Sequence, residues 1–470
     1  MTDTVSTHPD AATGTRTPAP APGPAAAGGD ALTTRPGRWI DGWDPEDASQ
    51  WAAAGRAIAR RNLHWSIFAE FLGFVVWQLW SIVAVALPAA GFDLSTGEVF
   101  WLISIPSLVG ATLRIPYSFL VPRFGGRNWT IVSAGLLLLP AIALAVCVAN
   151  PSTPFGLLLA AAALAGFGGG NFASSMANIT YFYPQREKGW ALGLNAAGGN
   201  LGAAVAQFAV PVVVTIGAGA TLNLPLAGWI WVPLIVVAMI GAWRRMDNLS
   251  NAKADFASSA AALKEPHLWL LSLLYIGTFG SFIGFASVFP KLIADQFPAF
   301  STFAVGGASV SLAFLGALVG SLARPYGGRL ADRFGGARIT MCAFAAMGAI
   351  TLAVVVSVPS AGFWAFLGLF LLLFAAAGVG NGSTYRMVPV VFALRGSGDE
   401  AARKRKAAAA LGLISAIGAY GGFLIPQALN VSVQATGAYT AAFLGFVVAY
   451  AALLVLTALV YVRPLRSHRV

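Results

Sequence analysis

The sequence predicts an all-α, polytopic membrane protein of twelve transmembrane helices, arranged as two pseudo-symmetric halves of six. Three observations carry that expectation. Of 470 residues, 57% are hydrophobic and only 10% charged, with a mean hydropathy of +0.73; an ordinary soluble domain has about a quarter of its residues charged. Apolar stretches of roughly 20 residues, the length that crosses about 30 Å of hydrocarbon as a helix, recur along the whole chain. The second half of the chain also repeats motifs of the first.

In order, residues 1–38 are rich in Pro, Ala, Gly and Thr with no apolar signal core, which predicts a disordered tail rather than a cleaved leader. Residues 39–62 combine Trp39, Trp43 and Trp51 with Arg56, Arg60 and Arg61. That mixture suits a segment lying on the membrane interface, or a loose linker. The first half, 63–245, holds spans near 64–88, 98–121, 129–149, 154–182, 189–215 and 226–243. A central loop occupies 246–265. The second half, 266–463, holds spans near 268–290, 303–324, 339–357, 361–392, 407–429 and 438–462, and 464–470 is a second tail. Cys147 and Cys342 fall inside spans, where small buried thiols are expected.

The net charge of +11 does not point to nucleic acid. Sorted by loop, all of the 29 Lys and Arg except Lys291 and the intraspan Arg114, Arg324 and Arg386 fall on one side of the predicted membrane. This is the positive-inside asymmetry, so both termini are expected in the cytoplasm and the basic balance reports topology. The expected location is a cell membrane, spanned many times.

Arg114 and Arg324 require an explanation, because a guanidinium at bilayer depth costs roughly 2.5–3.5 kcal/mol on insertion scales. An offset of 210 aligns R114IPYSFLVPRFGG with R324PYGGRLADRFGG, and Gly168, Gly170 and Asn171 with Gly378, Gly380 and Asn381. An offset of 220 aligns Gly198 and Gly202 with Gly418 and Gly422, the slip falling in the polar insertion at 395–407. Repeated halves with a substrate site at their interface are the plan of many secondary transporters. Both arginines then face one central cavity, where they repel and favour an anion. Of the 18 Asp and Glu, only Glu70 lies well within a span, so the acids inside the membrane do not neutralise two guanidiniums.

A guanidinium fork matches a planar oxyanion such as carboxylate or nitrate. Gly166/Gly170, Gly198/Gly202 and Gly418/Gly422 have the spacing of close helix packing, which implies a small cavity, and Asn171, Asn200 and Ser415 are neutral donors near it. GFGGGN sits inside an apolar span with no preceding strand, which argues against a dinucleotide site. No His, Cys and carboxylate group has metal-ligand spacing, and nothing reads as an enzyme or calls for a cofactor.

The segment GGRLADRFGG at 327–336 resembles the loop signature of the major facilitator superfamily, although the first-half copy, VPRFGGR, lacks the Asp. RIPYSF, NFASSMANI, GLNAAGGNLG, LLYIGTFGSFIGF and AAALGLISAIGAYGGF resemble its NarK-type branch, the nitrate/nitrite porters, over about 62–462. The resemblance implies an alternating-access carrier of nitrate and nitrite. In it Arg114 and Arg324 grip the anion, Tyr275 hydrogen-bonds it, Phe74 and Phe172 sandwich it, and Asn200, Gly198 and Gly418 belong to the signature helices beside it. Arg386 departs from that pattern, as does Glu70.

Nitrate import by exchange for nitrite needs no titratable group, whereas proton symport does, and Glu70 is the only carboxylate candidate for coupling. The alternative for Glu70 is an interfacial acid paired with Arg60, Arg61 or water at the start of span one. The alternative for the whole chain is a carrier of another small monovalent anion, such as a monocarboxylate. A sensor that binds without transporting has no signalling domain to support it.

Overall fold

The computed structural model describes residues 32–215, 222–253 and 255–463. Eleven of its helices are long and apolar enough to cross a membrane: α1 Ala48–Ala86, α2 Thr96–Phe124, α3 Gly126–Cys147, α4 Phe155–Phe182, α5 Gln185–Thr215, α6 Leu226–Arg245, α7 Pro266–Gln296, α9 Gly336–Ser357, α10 Gly362–Arg395, α11 Glu400–Thr436 and α12 Thr440–Val462. The remaining long helix, α8 Phe314–Phe334, is less apolar because Arg324, Arg329, Asp332 and Arg333 sit in it, yet it packs along α9 and α10 like its counterpart in the first half. The protein is therefore a polytopic helical membrane protein. Its outer surface exposes Leu139, Val146, Leu157, Val237, Leu372 and Val448, the side chains that meet lipid.

α1 and α7 are the most buried helices and touch each other at the centre. Around them α2 packs on α11 and α5 on α8, so each half supplies one helix to each pair. That exchange is the spatial form of the sequence repeat. Backbone geometry repeats as well: Gly125 between α2 and α3 has φ 87° and ψ 147°, and Gly335 between α8 and α9 has φ 94° and ψ 132°. Both occupy the positive-φ region that favours glycine.

Three expectations change. The eighth span does not begin at 303. Residues Phe303–Val305 (β4) and Ala308–Val310 (β5) pair as a hairpin through Gly306 and Gly307, both at positive φ, the Gly-Gly turn that joins strands tightly. Helix α8 starts eleven residues later, which puts Arg324 at its middle rather than its end.

The basic end of the first half is folded, not loose. Thr33–Arg35 (β1), Trp39–Asp41 (β2) and Asn248–Leu249 (β3) form a small sheet, so residues 32–38 leave the expected tail and 39–43 bind the central loop. Ile40, Trp43 and Trp51 are buried against Phe182 and Tyr183 rather than lying on lipid. At the centre is buried Asp247, held by Arg38 at 2.7 Å, Arg61 at 2.6 Å and the Asn62 amide at 2.8 Å. The expected tails 1–31 and 464–470 lie outside the described residues. Finally, Cys147 is half-buried and Cys342 faces outward from α9, so neither thiol is in the core.

Candidate functional site

The two halves meet tightly at one end of the bundle and part at the other. At the closed end Gln207 Nε2 donates to the Ala286 carbonyl at 2.6 Å, Gln427 Nε2 to Ser104 Oγ at 2.7 Å and Gln78 Nε2 to Ser287 Oγ at 3.3 Å. Rings interlock there too, Phe100 with Tyr439 and Trp101 with Phe423. At the end carrying the basic loops, a cavity of about 1030 Å³ runs inward from Lys188, Lys253 and Arg403 to Phe172, Tyr385 and Ser415.

Arg114 and Arg324 lie buried just behind the inner end of that cavity, against its lining residues Phe172, Tyr385 and Ser415, and both face the Phe172 ring. The Arg114 Cζ is 4.5 Å from the Phe172 ring centre and the Arg324 Cζ 5.9 Å. Arg114 reaches this position because α2 and α4 come into near backbone contact. A Cβ on Gly169 would fall 2.7 Å from the Gly110 Cα, so only glycines allow the approach. Arg114 Nε then donates to the Gly169 carbonyl at 3.1 Å, and Nη1 crosses to the other half, donating to the Ser415 carbonyl at 3.0 Å and its Oγ at 2.9 Å. Arg114 Nη2 and Arg324 Nη1 are buried with no partner. Among the described residues no carboxylate lies within ion-pair distance of either guanidinium. The site holds uncompensated positive charge and spare donors in a low-dielectric pocket, the electrostatic complement of an anion.

Of the expected residues, Tyr275, Gly418, Phe74 and Phe172 come together here. Tyr275 is fully buried, its hydroxyl has no partner, and its ring stacks on Phe279 at 5.3 Å. Gly418 makes the room for that ring, since a Cβ there would lie 2.3 Å from Tyr275 Cδ1. Asn171 and Asn200 are buried with both side-chain polar atoms unpartnered. Gly198 lies elsewhere: its space is filled by Ile67, so it serves helix packing. Phe74 and Phe172 meet edge to face, 6.0 Å apart and inclined by 77°, and so do not form the parallel plates of a sandwich.

Sequence reasoning missed three rings of the site. Trp77 and Phe279 lie 5.3 Å and 5.2 Å from the Arg114 Cζ, and Tyr385 lies 5.7 Å from that of Arg324. Two carried a helical signal, Trp77 three residues after Phe74 and Phe279 four after Tyr275. The stack of Tyr275 on Phe279 is shaped by a π-turn at Ile276–Gly280, and such wide turns recur at functional sites.

Glu70 is fully buried on α1, not interfacial, and Arg61 is already paired with Asp247. Asn195 Nδ2 donates to Glu70 Oε2 at 2.7 Å, while Oε1 has no partner. Arg386 is half exposed and pairs with Asp332 at 2.5 Å, outside the inner cavity lining.

Two repeated half-bundles, closed at one end and gripping an uncompensated arginine pair at their interface, define a secondary transporter of the major facilitator superfamily, not an enzyme, and that family's model matches residues 69–426. More narrowly, the chain belongs to the NarK-type nitrate/nitrite porters. It is 43% identical over 454 residues to the nitrate/nitrite transporter NarU of Escherichia coli (strain K12), covering 91% of this chain and 97% of that one. To NarU of Salmonella typhimurium it is 44% identical over 451 residues, 90% and 96% of the two chains. To the probable nitrate/nitrite antiporter NarK2 of Thermus thermophilus it is 37% identical over 444 residues, 89% and 96%.

Proposed function

We propose that the chain carries nitrate and nitrite across a cell membrane by alternating access, with the anion held between Arg114 and Arg324. The observation that carries this reading is the pair of guanidiniums sharing Phe172 with, among the described residues, no carboxylate within ion-pair distance. A planar oxyanion fits the unpartnered Nη donors in bidentate fashion, and the Tyr275 hydroxyl and the Asn171 and Asn200 amides add neutral hydrogen bonds. Trp77, Phe172 and Phe279 exclude water, which strengthens every one of these contacts. The names of the relatives, nitrate/nitrite transporters and a probable nitrate/nitrite antiporter, support these two anions as the substrates.

The excess of Lys and Arg in the loops at the open end supports a cytoplasmic open end and cytoplasmic termini by the positive-inside rule. The cavity then describes the inward-open state. Bringing one anion inward against an inside-negative potential costs about 2.3 kcal/mol per 100 mV, so uptake needs a driving partner. Exchange supplies it without a titratable group: an empty cavity keeps two like charges apart, and only an anion lets the halves close on both arginines. A proton on Glu70 supplies it in another way. A carboxylate buried with one hydrogen bond and no ion pair costs several kcal/mol, and a proton removes that cost.

The test is nitrate uptake into proteoliposomes of the purified protein, nitrite-loaded or empty, with and without an inward proton gradient. Uptake in either arm supports the carrier, and the arm that works names its coupling. Failure of nitrate in both, with uptake of a monocarboxylate, overturns the assignment of substrate.

A further inference from the structure

We infer that Ser175 and Ser66 relay the proton between Glu70 and the basic end of the bundle, along a route separate from the anion cavity. The inference rests on the coupling role proposed for Glu70. In the state described here the cavity is open at the basic end, so a proton carried with the anion must leave at that end. Glu70, Asn195 and Ser66 are fully buried and Ser175 nearly so, and none of the four lines the cavity, so the carboxyl has no direct opening to it.

The polar contacts of Glu70 lead in one direction. Asn195 Nδ2 bridges Glu70 Oε2 at 2.7 Å and Ser175 Oγ at 2.6 Å, which holds the Ser175 hydroxyl beside the Glu70 carboxyl. Ser175 Oγ lies 2.8 Å from Ser66 Oγ, and either can donate. Ser66 stands one turn before Glu70 on α1, and Asn62 one turn before Ser66. Asn62 exchanges hydrogen bonds with Asp247, whose partners Arg38 and Arg61 are about one third exposed at the basic end. Asn62, Ser66, Glu70, Ser175 and Asn195 are all buried where α1, α4 and α5 pack together. Buried polar groups at such a cost have a reason to be there.

The step balances as a concerted shift. The Glu70 carboxylic acid gives its proton to Ser175 Oγ, Ser175 gives its own to Ser66 Oγ, and Ser66 gives its own to water at the Asn62 end. Glu70 is left ionised and one hydronium departs. Asn195 cannot relay in this way, and acts as the positioning residue that holds Ser175 against the carboxyl. The other groups facing Glu70 are Arg114 of α2, Arg324 of α8 and Tyr385 of α10, all within electrostatic reach. Through the two arginines, departure of the anion favours the ionised carboxyl left by departure of the proton.

Ser175→Ala and Ser66→Ala, each with its Thr counterpart, are compared in proteoliposomes for proton-driven nitrate uptake and for nitrate–nitrite counterflow at equal pH. The relay predicts at least about a tenfold loss of proton-driven uptake in both Ala variants, counterflow within about twofold of the parent, and recovery with Thr, which restores a hydroxyl. Two controls separate the failures. If Glu70→Gln leaves proton-driven uptake intact, or the parent shows none, the coupling role of Glu70 falls and the relay with it. If Glu70→Gln abolishes that uptake while both Ala variants retain it, the coupling role stands and the relay is overturned.

Discussion

The two halves hold equivalent arginines in different ways. Arg114 is 1% exposed, ringed by Trp77, Phe172 and Phe279, and fastened by three hydrogen bonds, two of them to Ser415 in the opposite half. Arg324 is 8% exposed at the cavity, touches two rings, and keeps a buried Nη1 without a partner. One guanidinium is therefore tied into the framework, while the other is held by no hydrogen bond among the described residues. Symmetry of sequence has been used to make one fixed jaw and one free jaw.

The largest expected effect sharpens that comparison. Arg324→Lys and Arg114→Lys both keep the charge but lose the planar fork, and hydrogen bonds to a charged group are worth about 1.5–3 kcal/mol each. Initial-rate uptake in proteoliposomes should show nitrate affinity falling about 10- to 100-fold in each, with net transport lost at low nitrate. Only Arg114→Lys should also lower the thermal midpoint in detergent, because only Arg114 ties α2 to α4 and α11. Equal thermal loss in the two variants would erase the distinction between the jaws.

The basic ends of the halves differ in the same manner. The second half keeps the Asp of its signature loop, and Asp332 pairs with Arg386 in the open, both side chains about half exposed. The first half has no Asp in VPRFGGR. Its acid comes from the connecting segment: Asp247, 2% exposed, holds Arg38, Arg61 and Asn62, while the neighbouring Asn248 fills the space a side chain at Gly125 would take. Asp247→Asn leaves two arginines against a neutral group and should destabilise the fold by about 2 kcal/mol, between an exposed pair and a fully buried one because both arginines are partly solvated. Thermal unfolding with and without the variant measures it.

Much of this was legible in the sequence and some was not, for physical reasons. Span count, the repeat and the arginine pair follow from hydropathy and from the cost of a charge in lipid, which leave few alternatives. The start of α8 was misplaced because FAVGGASV is apolar enough to pass for a span, and only its Gly-Gly turn reveals a hairpin. The folded strap at 32–43 escaped because its stability comes from Asp247, about 200 residues away in sequence. The sequence leaves Glu70 two readings, a coupling acid within its span or an interfacial acid at the span's start, because hydropathy does not tell which face of a helix is buried. Aligning Phe74 with Phe279 puts Glu70 on Tyr275, and the earlier offsets put Ser175 on Tyr385 and Asn195 on Ser415. The polar cluster around Glu70 is thus the first-half image of the Tyr275, Tyr385 and Ser415 cluster in the second.

The signature helices give a smaller contrast. A methyl at Gly418 meets the rigid Tyr275 ring at 2.3 Å, whereas one at Gly198 meets the Ile67 Cγ2 methyl at 2.4 Å. The Tyr275 ring is fully buried and cannot swing aside, while the half-buried Ile67 has an open side toward which its helix segment can shift. Gly418→Ala should therefore cost about tenfold in nitrate uptake by displacing the Tyr275 hydroxyl, and Gly198→Ala less than about threefold.

The smallest effect concerns Arg386, the one charge in span ten. Its pair with Asp332 is exposed, so the Coulomb attraction is screened and offset by the entropy of holding two long side chains, and such pairs contribute about 0–1 kcal/mol. The Arg386 Nη1 also approaches the start of α5 in the other half, 3.8 Å from where a Cβ of Gly189 would lie. If the pair serves only its own half, Arg386→Gln and Asp332→Asn should each change uptake by less than about twofold, and the change should vanish in 0.5 M salt, where the Debye length falls to about 4 Å. A larger, salt-insensitive loss confined to Arg386→Gln would instead assign the contact with α5 to the closing of the basic end. The second half would then also have a structural use for its arginine that the first half lacks.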